Sequence, residues 1–121
     1  MTRRRILAFV AIAFGILTIV AGGRVLAGAD PGYVVFRPLL VFNFAMGFVY
    51  VAAGVAALRS AKLGKRAAAA IFALNLIVLV AIAILYAAGA AVAIDSVRAM
   101  SLRTAVWLGL FLGQPRAADA P

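Results

Sequence analysis

The 121-residue chain contains no cysteine and no histidine. Disulfides, thiolate chemistry, imidazole catalysis and the usual ligands of zinc, copper and haem are thereby excluded, and no cofactor is expected. Glutamate is absent too, which leaves Asp30, Asp95 and Asp119 as the only acids. Against these 3 stand 12 lysines and arginines, giving a net charge of +9. Charge of either sign is nonetheless scarce, at 12% of the residues where an average soluble domain carries about 25%.

What fills the chain instead is apolar: 68% of the residues are hydrophobic and the mean hydropathy is +1.18. That composition belongs to an integral membrane protein. Because about 20 apolar residues span a bilayer, residues 1–121 make a single transmembrane domain of three or four helices, with no room for a separate soluble unit. The basic residues stand at the ends of the apolar runs rather than along one polar face, so they read as topology signals and not as a nucleic-acid surface. The expected fold class is all-α, an integral membrane four-helix bundle.

Residues 6–23 carry no charge and are long enough to span, with Arg24 able to snorkel at the far end, so a first helix is expected over about 6–24. Asp30, Pro31 and Gly32 are turn residues, and Tyr33 to Arg37 reads as an interfacial connector. Pro38 suits the first position of a second helix over about 38–58. Arg59, Lys62, Lys65 and Arg66 follow with Gly64 between them, and residues 59–66 are read as a loop.

The next uncharged run, 67–94, would be about 42 Å long as one helix, more than the roughly 30 Å hydrocarbon layer requires. It either tilts strongly or ends near Gly89, and the second choice gives a third helix at 67–89 and a fourth at about 92–113. Residues 114–121 are expected to form a disordered tail. The terminal segments and the 59–66 stretch hold eight of the basic residues, against Arg24, Arg37, Arg98 and Arg103 on the other side. This imbalance places both termini in the cytoplasm of a bacterial inner membrane, with the lipid bilayer as first partner.

The opening Thr2-Arg3-Arg4-Arg5-Ile6-Leu7 resembles a twin-arginine export signal, and Ala27-Gly28-Ala29 has the small-x-small form of a cleavage site. That route serves proteins that fold, often around cofactors, before export, whereas only apolar helices without cofactor ligands follow here. The arginines are therefore read as the cytoplasmic anchor of a retained first helix.

The fourth segment holds the densest group of polar residues. On one helix Asp95 and Arg98 are three apart, Arg103 and Trp107 four apart, and Asp95, Ala99, Arg103 and Trp107 share a stripe. One reading is a polar pocket in which Arg103 binds an anion or headgroup and Trp107 stacks on its guanidinium. The other is an ion-paired helix start with an interfacial tryptophan. Asn43 and Asn75 lie within apolar runs, where helix-to-helix hydrogen bonding is the ordinary use of an amide. Asn43 is expected to find Arg103 or Ser101 at similar depth. Gly47, Gly54, Ala53 and Ala57 allow close helix approach. Asp30 and Arg37 are candidates for an outer-loop contact, the alternative being a plain chain reversal with anchors.

In its helix count, short length and proline-opened second helix the chain resembles small bacterial inner-membrane proteins of the DoxX-like kind. The segments GADPGYVVFRPLLVFNFAMGFVYVAAG and DSVRAMSLRTAVW are similar to short, uncharacterised membrane proteins. Some DoxX relatives are subunits of quinone-linked oxidoreductases, so the resemblance implies association with a quinone or a partner subunit. The expected function is that of a non-catalytic protein working by association, as an accessory subunit or homo-oligomer, with no nucleic-acid partner. Two alternatives stand beside it. A small four-helix transporter of the drug-proton antiporter type matches in size but depends on an acid in its first helix, which is missing here. A quinone- or lipid-binding subunit would use Arg103, Trp107 and Tyr86.

Overall fold

The computed structural model describes residues 2–114, and within them the chain is all-helical. Four helices follow one another: α1 (Arg3–Leu26), α2 (Arg37–Arg59), α3 (Ala61–Ala87) and α4 (Ile94–Gly113). Three of them, α1, α2 and α3, are long and apolar enough to cross a membrane. Successive helices run antiparallel. The α1–α2 and α3–α4 connections therefore lie at one end, called here the loop end, and the single-residue α2–α3 turn lies at the opposite, terminal end.

Local chemistry sets the helix limits. Thr2 caps α1, its hydroxyl oxygen accepting from the Arg5 N–H at 3.3 Å. At the other end of α1, Gly28 takes φ +113°, its N–H donates to the Val25 carbonyl at 3.0 Å and the Ala29 N–H donates to Arg24 at 2.9 Å. That pair of bonds closes the last turn around a left-handed residue, a conformation glycine adopts without a Cβ penalty. The end of α3 repeats the device with Gly89 at φ +85° and with Gly89 and Ala90 donating to Tyr86 and Leu85. The helix therefore stops at Ala87 rather than continuing to residue 94.

The loop expected at 59–66 is not there. Ser60 alone separates α2 from α3: its N–H donates to Ala56 at 2.8 Å and its hydroxyl oxygen accepts from the Leu63 N–H at 3.2 Å. Lysine, arginine and alanine are good helix formers, so once Ser60 caps the helix nothing in residues 61–66 interrupts it. Gly64 is a packing residue. A Cβ there would fall 2.7 Å from Cα of Ala57, which is how two helices joined by one residue lie so close. Gln114, read as the start of a disordered tail, is the buried C-cap of α4; residues 115–121 lie outside the described part.

The α1–α2 contact is built from small residues. A Cβ on Gly15 would meet the Gly47 carbonyl oxygen at 2.7 Å, and one on Gly54 would meet the Ala8 carbonyl oxygen at 2.8 Å, so the two backbones touch. Beside this seam an aromatic run ties three helices together. Phe14 of α1 lies 5.6 Å from Tyr50 of α2, and Tyr50 lies 4.9 Å from Trp107 of α4. Tyr50 and Asn75 bond across α2 and α3 at 3.1–3.3 Å, both completely buried. This pair gives Asn75 the interhelical partner that an amide in hydrocarbon requires.

Candidate functional site

Where α1 and α2 touch along their length, α1 and α4 meet only near the terminal end. There the side chain of Leu7 reaches the position a Cβ on Gly113 would take, 3.0 Å away. Toward the loop end the two helices part. Between them lies a cleft of about 200 Å³, lined also by α2 and by Pro31, Tyr33, Val35 and Phe36 of the connection. Thr18, Ala21, Gly22 and Val25 wall it from α1, Leu39, Leu40 and Asn43 from α2, and Ser96, Ala99 and Arg103 from α4.

The small residues that let α1 approach α2 also keep this cleft open. Ala21 on the α1 wall and Ala99 on the α4 wall bring little side-chain bulk, while Gly22 lets α1 lie against Phe44 of α2. Thr18 is buried and spends its hydroxyl on the Phe14 carbonyl at 2.8 Å, a bond within its own helix. Among the described residues five buried side-chain polar atoms have no hydrogen-bond partner, and two of them, Oδ1 of Asn43 and Nε of Arg103, belong to residues that line the cleft. A buried polar atom left unpaired costs about 1–3 kcal/mol, more for a charged group, so the walls of the cleft are where the described structure is least satisfied.

The sequence-predicted residues divide accordingly. Asn43 and Arg103 come together at the cleft but do not bond each other, and Ser101, the other expected partner of Asn43, is exposed and donates to the Val97 carbonyl at 2.8 Å. Asp95 and Arg98 are both exposed, outside the cleft lining. Trp107 is 1% exposed and stacks on Tyr50 rather than on Arg103, with its indole N–H unpaired. A residue four positions along a helix can turn toward either neighbour, and the aromatic face of Tyr50 offers Trp107 more apolar contact than a guanidinium does.

Asp30 shapes the turn and is exposed: its Oδ1 accepts from the Gly32 N–H at 2.8 Å. Arg37 opens α2 and is exposed, away from the cleft. Tyr86 is exposed on the last turn of α3 and takes no part in the cleft.

Sequence reasoning missed Tyr33 and Phe36 of the connection, which line the cleft together with α4 residues; the connector was legible, its place at the cleft was not. It also missed a contact outside the cleft. At the terminal end Lys65 of α3 donates to the Phe111 carbonyl at 2.9 Å and lies 4.3 Å from the Phe111 ring. A lysine read only as a topology charge thus satisfies carbonyls at the negative end of the α4 dipole. The signal available was a lysine in a membrane segment near a helix end.

The cleft contains a cation, an amide, two hydroxyl-bearing residues of α1 and α4, and apolar walls. It offers no carboxylate, thiol or imidazole to act as base or nucleophile. Among the described residues no group of three or more metal-ligating side chains exists. The arrangement can hold a molecule and orient its polar end. No protein family, curated protein or solved structure matches this chain, so its function is argued from this geometry.

Proposed function

We propose that this chain is a non-catalytic bacterial inner-membrane protein that works by association, with all four helices in the bilayer as a bundle and both termini in the cytoplasm. In this reading the loop end faces outward, and the cleft is the contact through which the protein holds its partner molecule. Three apolar helices and the excess of lysine and arginine toward the terminal end support the placement. A DoxX-like role as an accessory subunit is compatible with it and belongs to the same proposal.

One observation carries the reading. Two residues that line one cleft, Asn43 of α2 and Arg103 of α4, each carry a buried polar atom without a partner. A transporter is less well supported, because neither α1 nor the cleft lining contains an acid to couple a proton. The test is native mass spectrometry of the protein released from mild detergent. Wild type should carry a bound molecule whose occupancy falls in both Arg103→Gln and Asn43→Leu and is unchanged in Arg98→Gln. A wild-type protein that carries nothing, or a bound species indifferent to Arg103 and Asn43, would end the proposal.

A further inference from the structure

Resting on that reading of the cleft, we infer that its ligand is the anionic headgroup of a membrane amphiphile, whose chain lies in the open seam between α1 and α4. The charge balance points to an anion. Arg103 is half-buried, and no carboxylate lines the cleft with it. Of the three acids in the chain, Asp30 closes its own turn with Gly32, Asp95 is exposed away from the cleft, and Asp119 lies outside the described residues. A guanidinium held in low dielectric without a counter-charge is costly, and an incoming anion removes that cost.

The donor geometry narrows the class. Arg103 lines the cleft, and a guanidinium is a planar fork of N–H donors that matches two oxygens of a phosphate or carboxylate. Asn43 also lines it, and its amide can donate to the same anion or accept from a headgroup hydroxyl. A neutral quinone carbonyl would satisfy a donor but leave the charge uncompensated.

Shape supplies the second half of the argument. About 200 Å³ has room for a headgroup and the first carbons of a chain, not for a whole diacyl lipid. The rest of the molecule must leave the cleft, and we assign it the side between α1 and α4, which share little contact. Val25, Leu39 and Leu40 give the loop-end part of the cleft an apolar lining. Tyr33 stands at the mouth, where an aromatic with a polar tip sits at headgroup level.

The chain's single tryptophan reports on the site. Trp107 is one helical turn from Arg103 and 1% exposed, so protein shields it from bulk lipid. The full chain is reconstituted in phosphatidylcholine vesicles in which either some phosphatidylcholine or an equal fraction of phosphatidylglycerol carries brominated chains, which quench a nearby indole at short range without needing to touch it. Brominated phosphatidylglycerol should quench severalfold more strongly than brominated phosphatidylcholine. Arg103→Gln should bring the ratio close to one, Arg103→Lys should keep part of it, and Arg98→Gln should leave it unchanged.

Equal quenching by the two lipids in the native protein contradicts the inference, as does a preference that survives Arg103→Gln. Relief of quenching by added inorganic phosphate would identify a soluble anion as the ligand and refute the lipid source. If native mass spectrometry finds an Arg103-dependent neutral molecule such as a quinone while the two lipids quench alike, the headgroup inference fails and the holding role of the cleft stands. If neither measurement depends on Arg103, both fail.

Discussion

Helix α1 meets two neighbours in opposite ways. Against α2 it uses Ala8, Gly15 and Gly22 to bring backbone to backbone, and at Gly15 and Gly47 a single added methyl group would collide. Against α4 it makes contact near Leu7 and Gly113, and toward the loop end the two helices flank a cleft that Arg103 and Asn43 also line. Small residues serve both sides. Where two glycine-bearing faces are opposed, they close a seam; where small residues face a cation and an amide, they leave room. The difference separates the part of the molecule that holds the fold from the part that is left incomplete by it.

The comparison is broken most severely at the closed seam. Gly15→Leu drives a side chain into the Gly47 carbonyl and Val51, and overpacking of this kind should cost about 3 kcal/mol, seen as a large drop in the temperature at which the detergent-solubilised protein aggregates. Next in size is the buried pair behind that seam. Asn75→Leu leaves the Tyr50 hydroxyl buried without its partner and should cost about 1–2 kcal/mol. Adding Tyr50→Phe should recover part of the loss, a non-additivity that a double-mutant cycle in the same melting assay reads directly.

A smaller effect is expected at the terminal end. Lys65→Met removes the donor to Phe111 and the charge near the end of the α4 dipole, and should cost about 1 kcal/mol. Hydrogen exchange in the last turn of α4 should accelerate while α1 is unaffected. On the open side the stability effect should be smallest or reversed. Arg103→Leu, measured in neutral detergent, removes a cation whose buried Nε has no partner and should leave the melting temperature unchanged or raised, while the proposed anion binding should be lost. A pronounced destabilisation by Arg103→Leu would place the residue among the structural contacts and erase the contrast between the two sides.

Much of this arrangement was legible in the sequence, for reasons that can be named. Uncharged runs bounded by arginine mark α1 and α2, and Gly89 marks where α3 must stop. Asn43 and Arg103 stood out in the sequence because polar groups are costly in apolar segments, and both line the cleft. What the sequence could not reveal was the partner each side chain would choose. Trp107 and Arg103 share a stripe of α4, but only the position of Tyr50 on another helix decides that Trp107 turns inward. Tyr50 and Asn75 pair because the α2–α3 hairpin has a one-residue turn, and that register is not written in either helix alone. The same turn explains the misread loop at 59–66. A cluster of lysine and arginine signals a membrane boundary, yet it is equally compatible with helix, and Ser60 as cap with Gly64 as packing residue decides between them.

The absence of cysteine, which first served to exclude chemistry, gives a clean background for the decisive measurement. Single cysteines are placed at Ala99 in the cleft wall and at Ala53 in the closed core, and each is treated with a small water-soluble thiol reagent in phosphatidylcholine vesicles. The account predicts rapid labelling at Ala99→Cys, slowed when phosphatidylglycerol is included, and no labelling at Ala53→Cys under either condition. Equal labelling at the two positions, or a rate at Ala99→Cys that phosphatidylglycerol does not change, would contradict the claim that this molecule keeps one side open for an anionic headgroup.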